Sequence, residues 1–354
     1  MTPIALGLPA VRRNPDVAVD DIPRQGPLVD TFGRVASDLR VSLTDRCNLR
    51  CTYCMPAEGL DWLPGHDLLT PDELTRLLRL AVTRLGITSI RFTGGEPLLY
   101  RGLEHIIAAT ARLAPRPEIA LTTNGVGLAA RAHGLAAAGL DRVNVSLDTL
   151  DPGHFAAITR RDRLGDVLDG LAAAAAAGLG PIKVNAVLDP ESGPGDAAAL
   201  LRFCLGHGYQ LRIIEQMPLD AGHQWRRESA ISALEIEAAL RTEFDLRADP
   251  TPRGSAPARL WLVDGGPSTV GIIASVSEAF CAACDRTRLT ADGQVRNCLF
   301  ATEETDLRGL LRRGADDDAL DIAWRTAMWR KAAGHGINDP GFVQPQRPMS
   351  AIGG

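Results

Sequence analysis

From residue 39 onward, short apolar runs alternate with longer stretches in which apolar residues recur every three or four positions. This alternation predicts repeated βα units around a parallel sheet. Candidate strands lie at 39–43, 89–93, 119–122, 142–147, 182–188 and 211–215. Between them, Thr70, Pro71 and Glu73 supply the N-cap, first-turn proline and N3 acid of a helix predicted over 71–85. The alanine-rich run at 171–177 reads as good helix former rather than a functional tract. Six strands are too few for an eightfold barrel, so the predicted fold class is α/β. It takes the form of a partial (βα)6 TIM-like barrel with an open lateral mouth. Past Met217 the pattern changes to a helix at 232–242, strands at 259–263 and 269–275, a cysteine-rich stretch, and helices to 333. The expected organisation is an N-terminal extension over 1–35, the barrel over 36–219 and a C-terminal α+β layer over 220–354. Residues 1–35 carry Pro3, Pro9, Pro15, Pro23 and Pro27 without periodicity, and much of that extension is expected to be mobile.

Composition narrows the setting. The chain has 354 residues, 45% hydrophobic and 23% charged, which are the proportions of an ordinary globular protein. No apolar run approaches the ~18 residues of a membrane span, so no membrane partner is expected. A net charge of −5 argues against a broad nucleic-acid surface, which needs a basic excess. Nothing at the N-terminus reads as an export signal: the apolar run 4–11 is short, and Arg12 and Arg13 follow it rather than precede it. The expected location is therefore the reducing cytoplasm, where clustered cysteines mean metal or catalysis more than crosslinks.

Six of the seven cysteines fall into two triads, and Cys204 is left as an expected buried thiol in a helix. Cys47, Cys51 and Cys54 are spaced CxxxCxxC directly after the first predicted strand, where a parallel α/β sheet carries its chemistry. Three thiolates suit an iron–sulfur cluster with one iron free of protein ligands, and cluster potentials span roughly −700 to +450 mV. Zinc would want a fourth nearby ligand, and the first histidine after Cys54 is His66, across a predicted loop.

The run Cys47-Asn48-Leu49-Arg50-Cys51-Thr52-Tyr53-Cys54, followed by Thr93-Gly94-Gly95-Glu96-Pro97, resembles the radical S-adenosylmethionine (SAM) enzymes. The resemblance implies a [4Fe–4S] cluster whose open iron chelates SAM, and an electron that splits the sulfonium to a 5'-deoxyadenosyl radical. It also implies that Tyr53, Gly94, Gly95, Glu96, Ser146 and Met217 line the SAM site. Glycines at 94 and 95 would let backbone approach the ligand closely. The second stretch, Cys281-Ala282-Ala283-Cys284-Asp285-Arg286-Thr287-Arg288 with Cys298 beyond it, is similar to the GTP 3',8-cyclase family of molybdenum cofactor biosynthesis. The match runs from Arg40 to Gly354.

That likeness implies a second [4Fe–4S] cluster on Cys281, Cys284 and Cys298, with guanine at its open iron. A triphosphate clamp of Arg40, Arg91, Lys183, Arg286 and Arg288 follows from the same resemblance, with Thr122 as a polar contact and Arg212 as a further candidate. Burying several phosphate charges without cations would be prohibitive. Arg40 and Arg91 sit inside apolar strand sequences, where an inward side chain must be paired or meet an anion. Arg286 and Arg288 are also implied in late proton or electron movement. The family's Gly-Gly terminus, here Gly353-Gly354, is expected to reach the active-site mouth, and a frayed end is the competing reading. GTP, an external one-electron donor, a downstream cyclic pyranopterin monophosphate synthase and a second copy of the chain are the implied partners. A radical SAM enzyme acting on a peptide or another nucleotide, and a two-cluster electron carrier, are the alternatives left open.

Overall fold

The computed structural model describes residues 21–190 and 195–353. The prolines and apolar run before residue 21, and the final Gly354, lie outside the described residues. From residue 21 the N-terminal extension is ordered. Strands β1 (Leu28–Val29) and β2 (Val35–Ala36) form an antiparallel hairpin, and Leu28 is fully buried with its N–H on the carbonyl of Leu85. The expectation of mobility fails for this part because Ile22, Leu28 and Ala36 give it an apolar face to bury.

Six βα strands follow in order: β3 (Asp38–Ser42), β4 (Ser89–Thr93), β5 (Glu118–Thr123), β6 (Arg142–Ser146), β7 (Lys183–Ala186) and β8 (Gln210–Ile214). Their connections carry α1 (Pro71–Thr83), α2 (Leu103–Ala111), α3 (Leu128–Ala138), α4 (Pro152–Thr159), α5 (Leu164–Ala176) and α6 (Gly195–His207). Helix α1 starts on the predicted capping box, with the Thr70 hydroxyl accepting from Glu73 N–H and the Glu73 carboxylate accepting from Thr70 N–H. Cys204 is fully buried in α6, and burial pushes its thiol up to about 12.

Neighbouring strands from β3 to β8 pair in parallel, in sequence order. Side chains alternate across each strand. One face presents Leu39, Val41, Ile90, Phe92, Leu121, Val143, Val184 and Leu211 to the helices as a single apolar core. The opposite face presents Arg40, Arg91, Thr122, Arg142, Asn144, Ser146, Lys183 and Arg212. The sheet curves around that polar face. Arg91 on β4 lies close enough to Lys183, three strands away, to depress its pKa, whereas in a flat sheet three strand spacings are about 14 Å.

The C-terminal α+β region extends the same sheet at both edges. Helix α7 (Ala233–Leu240) leads to β9 (Leu246–Ala248), β10 (Arg259–Val263) and β11 (Thr269–Ile273), with β11 parallel to β8. At the other edge β12 (Arg286–Leu289) lies parallel to β3, followed by β13 (Gln294–Arg296) and β14 (Thr305–Asp306). The result is a 12-stranded sheet ordered β14-β13-β12-β3-β4-β5-β6-β7-β8-β11-β10-β9. Helices α8 (Leu307–Arg312) and α9 (Asp317–Trp329) cover the β12 edge, where buried Trp324 donates to Thr287 Oγ1 at 3.1 Å. A last turn, α10 (Met349–Ile352), brings the chain back over the lumen.

Glu215, just past β8, ties the two regions together. Only 2% exposed, its carboxylate accepts from Ala233 N–H at 2.7 Å, Val276 N–H at 2.7 Å and Ser277 N–H at 2.9 Å. Glu215→Ala would strand these three donors, each costing about 1–3 kcal/mol when left unsatisfied in the interior. The expected loss is about 3 kcal/mol in urea unfolding of the apo-chain; an unchanged midpoint would show that the carboxylate braces nothing.

Candidate active site

The first cysteine loop is shaped by the turn after β4. Gly94 has φ +143°, and a Cβ there would overlap the carbonyl oxygen of Thr44. At Gly95 it would overlap those of Asp45 and Arg46. Gly95 N–H and Glu96 N–H donate at 2.7 Å to the carbonyls of Thr44 and Arg46. The two glycines therefore let one loop lie directly on the backbone that leads into Cys47, in addition to bordering the cavity. Glu96 is fully buried beneath this contact rather than lining the cavity. It accepts from Leu98 N–H at 2.9 Å, Thr123 Oγ1 at 2.7 Å and Asn124 N–H at 2.7 Å.

Cys47, Cys51 and Cys54 gather at one end of a cavity of ≈ 150 Å³ that also meets Tyr53, Gly94, Gly95, Thr122, Ser146 and, from the chain's end, Met349 and Ser350. Burial raises all three thiols, that of Cys54 to about 12; Cys47 and Cys54 raise Cys51 further, and Cys47 raises Cys54. Three thiols free of carboxylate and imidazole suit soft iron, and as thiolates they need a cation among them. Among the described residues no group of three or more His, Cys, Asp or Glu converges to hold a single metal ion. Asn124 donates its side-chain amide to Cys47 Sγ at 3.7 Å. Tyr53 donates its hydroxyl to Asp148 at 2.8 Å, and burial pushes Asp148 up to about 6.

Below this end, the lumen is cationic. Arg40 is paired with Asp38 at 3.1 Å and stands in register beside Arg91 on one side and Arg288 on the other. Arg91 Nε, Arg142 Nη1 and Arg212 Nη1 are buried without hydrogen-bond partners. Burial together with neighbouring cations drives Arg91 well below its usual pKa, Lys183 to about 8 and Arg288 to about 9; burial alone takes Arg212 to about 10. Buried donors left open beside like charges fit a polyanion.

The second triad is assembled by tertiary structure. Cys281 and Cys284 sit on a single 3-10 turn, and Cys298 follows β13, yet the three are close enough for Cys284 and Cys298 to raise Cys281. Cys284 differs from the other thiols. Burial would raise it, but the Lys331 ammonium and the Arg286 guanidinium overcome that and hold it below its usual value. The chain's end runs between the triads. Ser350 N–H faces Cys54, the Ser42 hydroxyl donates to the Ile352 carbonyl at 2.8 Å, and Arg288 donates to the Gly353 carbonyl. A Cβ at Gly353 would overlap Ser42 and Thr93, and its φ is +82°, so a larger residue would not fit. The frayed-end reading does not hold through Gly353.

Residues 41–204 match the radical SAM superfamily model, and residues 209–337 match the Molybdenum Cofactor Synthesis C model. The chain is 73% identical over its full length to a full-length GTP 3',8-cyclase of Mycobacterium sp. (strain KMS). It is 71% identical, again with both chains fully covered, to GTP 3',8-cyclase 2 of Mycobacterium tuberculosis (strain ATCC 25618 / H37Rv). The chain belongs to the GTP 3',8-cyclase family. The crystal structure of Streptococcus suis SuiB bound to S-adenosylmethionine superposes with a TM-score of 0.55 at 13% identity, covering 82% of this chain and 64% of that one, which shows the shared fold. As a radical SAM enzyme of the GTP 3',8-cyclase family, the chain uses SAM and an iron–sulfur cluster.

Against the residues expected for this family, Tyr53, Gly94, Gly95, Thr122 and Ser146 border the cavity. Glu96 and Met217 do not. Met217 packs instead in a small apolar cluster with Leu219, Val276, Phe300 and Ile352, beside Cys298. Arg40, Arg91, Lys183, Arg212, Arg286 and Arg288 share the inner face of the sheet. Sequence reasoning missed Asp148, Asn124, Arg142 and Lys331. Asp148 and Asn124 stand at strand ends like the residues it did select, and Arg142 opens the polar alternation that ends at Ser146; Lys331 carries no local signal. No helix among the described residues is long and apolar enough to cross a membrane.

Burial raises Glu96 to about 7 from 4.5 despite its three donors, so folding takes up a proton between these values. That contribution to stability is fully present below pH 4.5 and is lost as pH rises through about 7. At 1.36 kcal/mol per unit it amounts to at most about 3 kcal/mol. The Glu96→Gln apo-chain should show a shallower fall in urea midpoint between pH 5 and 8 than the wild type, and parallel profiles would exclude the effect.

Proposed function

We propose that the lumen between the two cysteine triads holds GTP and that the enzyme converts it to 3',8-cyclo-7,8-dihydro-GTP, the first step of molybdenum cofactor biosynthesis. The observation carrying this reading is the set of buried guanidinium nitrogens without partners, Arg91 Nε, Arg142 Nη1 and Arg212 Nη1, on the inner face of the sheet. In this reading Cys47, Cys51 and Cys54 hold the first [4Fe–4S] cluster. Cys281, Cys284 and Cys298 hold a second one, with an iron left free for guanine. When bound, the first cluster and SAM supply one-electron cleavage to a 5'-deoxyadenosyl radical.

The protein's own part is positional. Tyr53, Gly94, Gly95 and Ser146 border the SAM end, and Glu96 braces the loop beneath it. Met217, packed on the apolar cluster that also meets Cys298, is the remaining residue of the expected SAM set. Arg40, Arg91, Lys183, Arg212, Arg286 and Arg288 take the triphosphate, with Thr122 as a polar contact, so that C3' of the ribose faces the adenosyl carbon. The α10 segment closes the mouth and limits water. Arg286 and Arg288, beside the second triad, are assigned the late proton or electron movement. An external one-electron donor, a downstream cyclic pyranopterin monophosphate synthase and a homodimeric assembly belong to the same reading.

The deciding experiment is anaerobic reconstitution with reductant, SAM and GTP, followed by mass analysis of products. Cyclised nucleotide is expected; SAM cleavage without it, or 5'-deoxyadenosine formation indifferent to GTP, would favour a peptide or another nucleotide as substrate. Cys298→Ala should keep SAM binding and uncoupled cleavage while cyclisation is lost, and equal loss of both would contradict a division of labour between the triads. Lys183→Ala removes a charge-assisted contact of about 1.5–3 kcal/mol, so Kd for GTP should rise about 10- to 150-fold with SAM affinity unchanged. An unaltered Kd would take Lys183 out of the clamp.

A further inference from the structure

Lys331 lies two residues beyond α9 and is 3% exposed. Its Nζ donates to Arg286 O at 2.8 Å, to Cys284 O at 3.3 Å and to Cys284 Sγ at 3.3 Å. An ammonium has three protons to give, and these three acceptors take them all. Two are neutral carbonyls and the third is a sulfur; among the described residues no carboxylate pairs with it. A buried lysine without a counter-ion is costly, so the position is built around negative charge on the Cys284 sulfur. Arg286 adds a second cationic donor to the same sulfur at 3.7 Å. Among the described residues the first triad has no such cationic donor hydrogen-bonded to a sulfur: Cys47 meets the neutral amide of Asn124 and the Leu49 N–H, Cys51 the Tyr53 hydroxyl and Cys54 the Ser350 N–H. Arg34 completes the support by donating to Cys281 O at 2.8 Å.

We propose that Lys331 is a positioning residue that fixes Cys284 as a ligand and raises the reduction potential of the second cluster. This rests on reading Cys281, Cys284 and Cys298 as a [4Fe–4S] site. Hydrogen bonds to ligand sulfurs, and positive charge beside them, stabilise the more negative reduced cluster and so raise its potential. The lysine also pins the carbonyls of Cys284 and Arg286, which couples the orientation of the ligand to that of the arginine on β12.

The test is an EPR-monitored redox titration of the anaerobically reconstituted full chain, with iron counting. The second cluster's signal is identified as the one missing from Cys298→Ala. Lys331→Met should move that cluster to a more negative midpoint and leave the first cluster's midpoint unchanged, while Lys331→Arg restores most of the wild-type value. A loaded Lys331→Met with both midpoints unchanged overturns the proposal, since a merely structural lysine would lower cluster content without shifting the potential. Should Lys331→Met fail to load, Lys331→Gln keeps an N–H donor without the charge, and a wild-type midpoint there is equally fatal. A wild-type chain that holds only one cluster fails differently: it overturns the two-cluster reading itself.

Discussion

Cations enclosed together on the inner face of the sheet are the constraint that the rest of the structure answers to. Arg40, Arg91, Arg142, Lys183, Arg212 and Arg288 line one lumen, and acids offset them incompletely: Asp38 pairs with Arg40 and Glu118 with Arg142. Asp38 is itself drawn down to about 2, because Arg40, Arg91 and Arg286 together outweigh the burial that would raise it. Such an interior repels itself when empty, and a polyanion relieves both the repulsion and the open donors. Stability given up in the free protein becomes affinity for a ligand of that charge. The outer face of the same strands compensates with a continuous apolar core against six helices.

The two triads stand at the ends of this lumen in opposite surroundings. Around the first, burial raises every thiol, and the side chains that hydrogen-bond the sulfurs, Asn124 at Cys47 and Tyr53 at Cys51, are uncharged. Around the second, Lys331 and Arg286 hold one sulfur toward its charged form. Cysteine spacing in the sequence would not have predicted this difference. It comes from the segment just after α9 and from β12, which bring a lysine and an arginine to one cysteine.

Closure of the site depends on segments far apart in the chain. Glu215 gathers three N–H groups from the C-terminal region onto the end of β8, and α10 returns to set Ile352 and Gly353 between Ser42, Thr93 and Arg288. The glycines of the β4 turn do more than admit a ligand. They allow the cysteine loop and the turn to share backbone hydrogen bonds at a separation no side chain permits.

Much of the fold was legible in the sequence because it rests on local rules. Short apolar runs between helical stretches located all six βα strands to within a few residues, and the Thr70–Glu73 capping box located the start of α1. The cysteine spacing and the glycine turn were equally plain, since ligand geometry and close backbone contact each demand fixed residue types at fixed intervals. Other features needed the third dimension. The ordered hairpin at 28–36, the joining of β12 and β11 to opposite edges of the barrel sheet, and the approach of Cys298 to Cys281 are long-range pairings. So is the meeting of Lys331 with Cys284, two residues 47 positions apart in the chain. Residue order alone marked the positions suited to iron, phosphate and backbone turns, because that chemistry is written in residue type and short spacing. Which guanidinium nitrogens face the lumen without a partner, and which sulfur receives a buried charge, emerged only from the folded arrangement, because burial and electrostatics depend on neighbours that the chain order does not reveal.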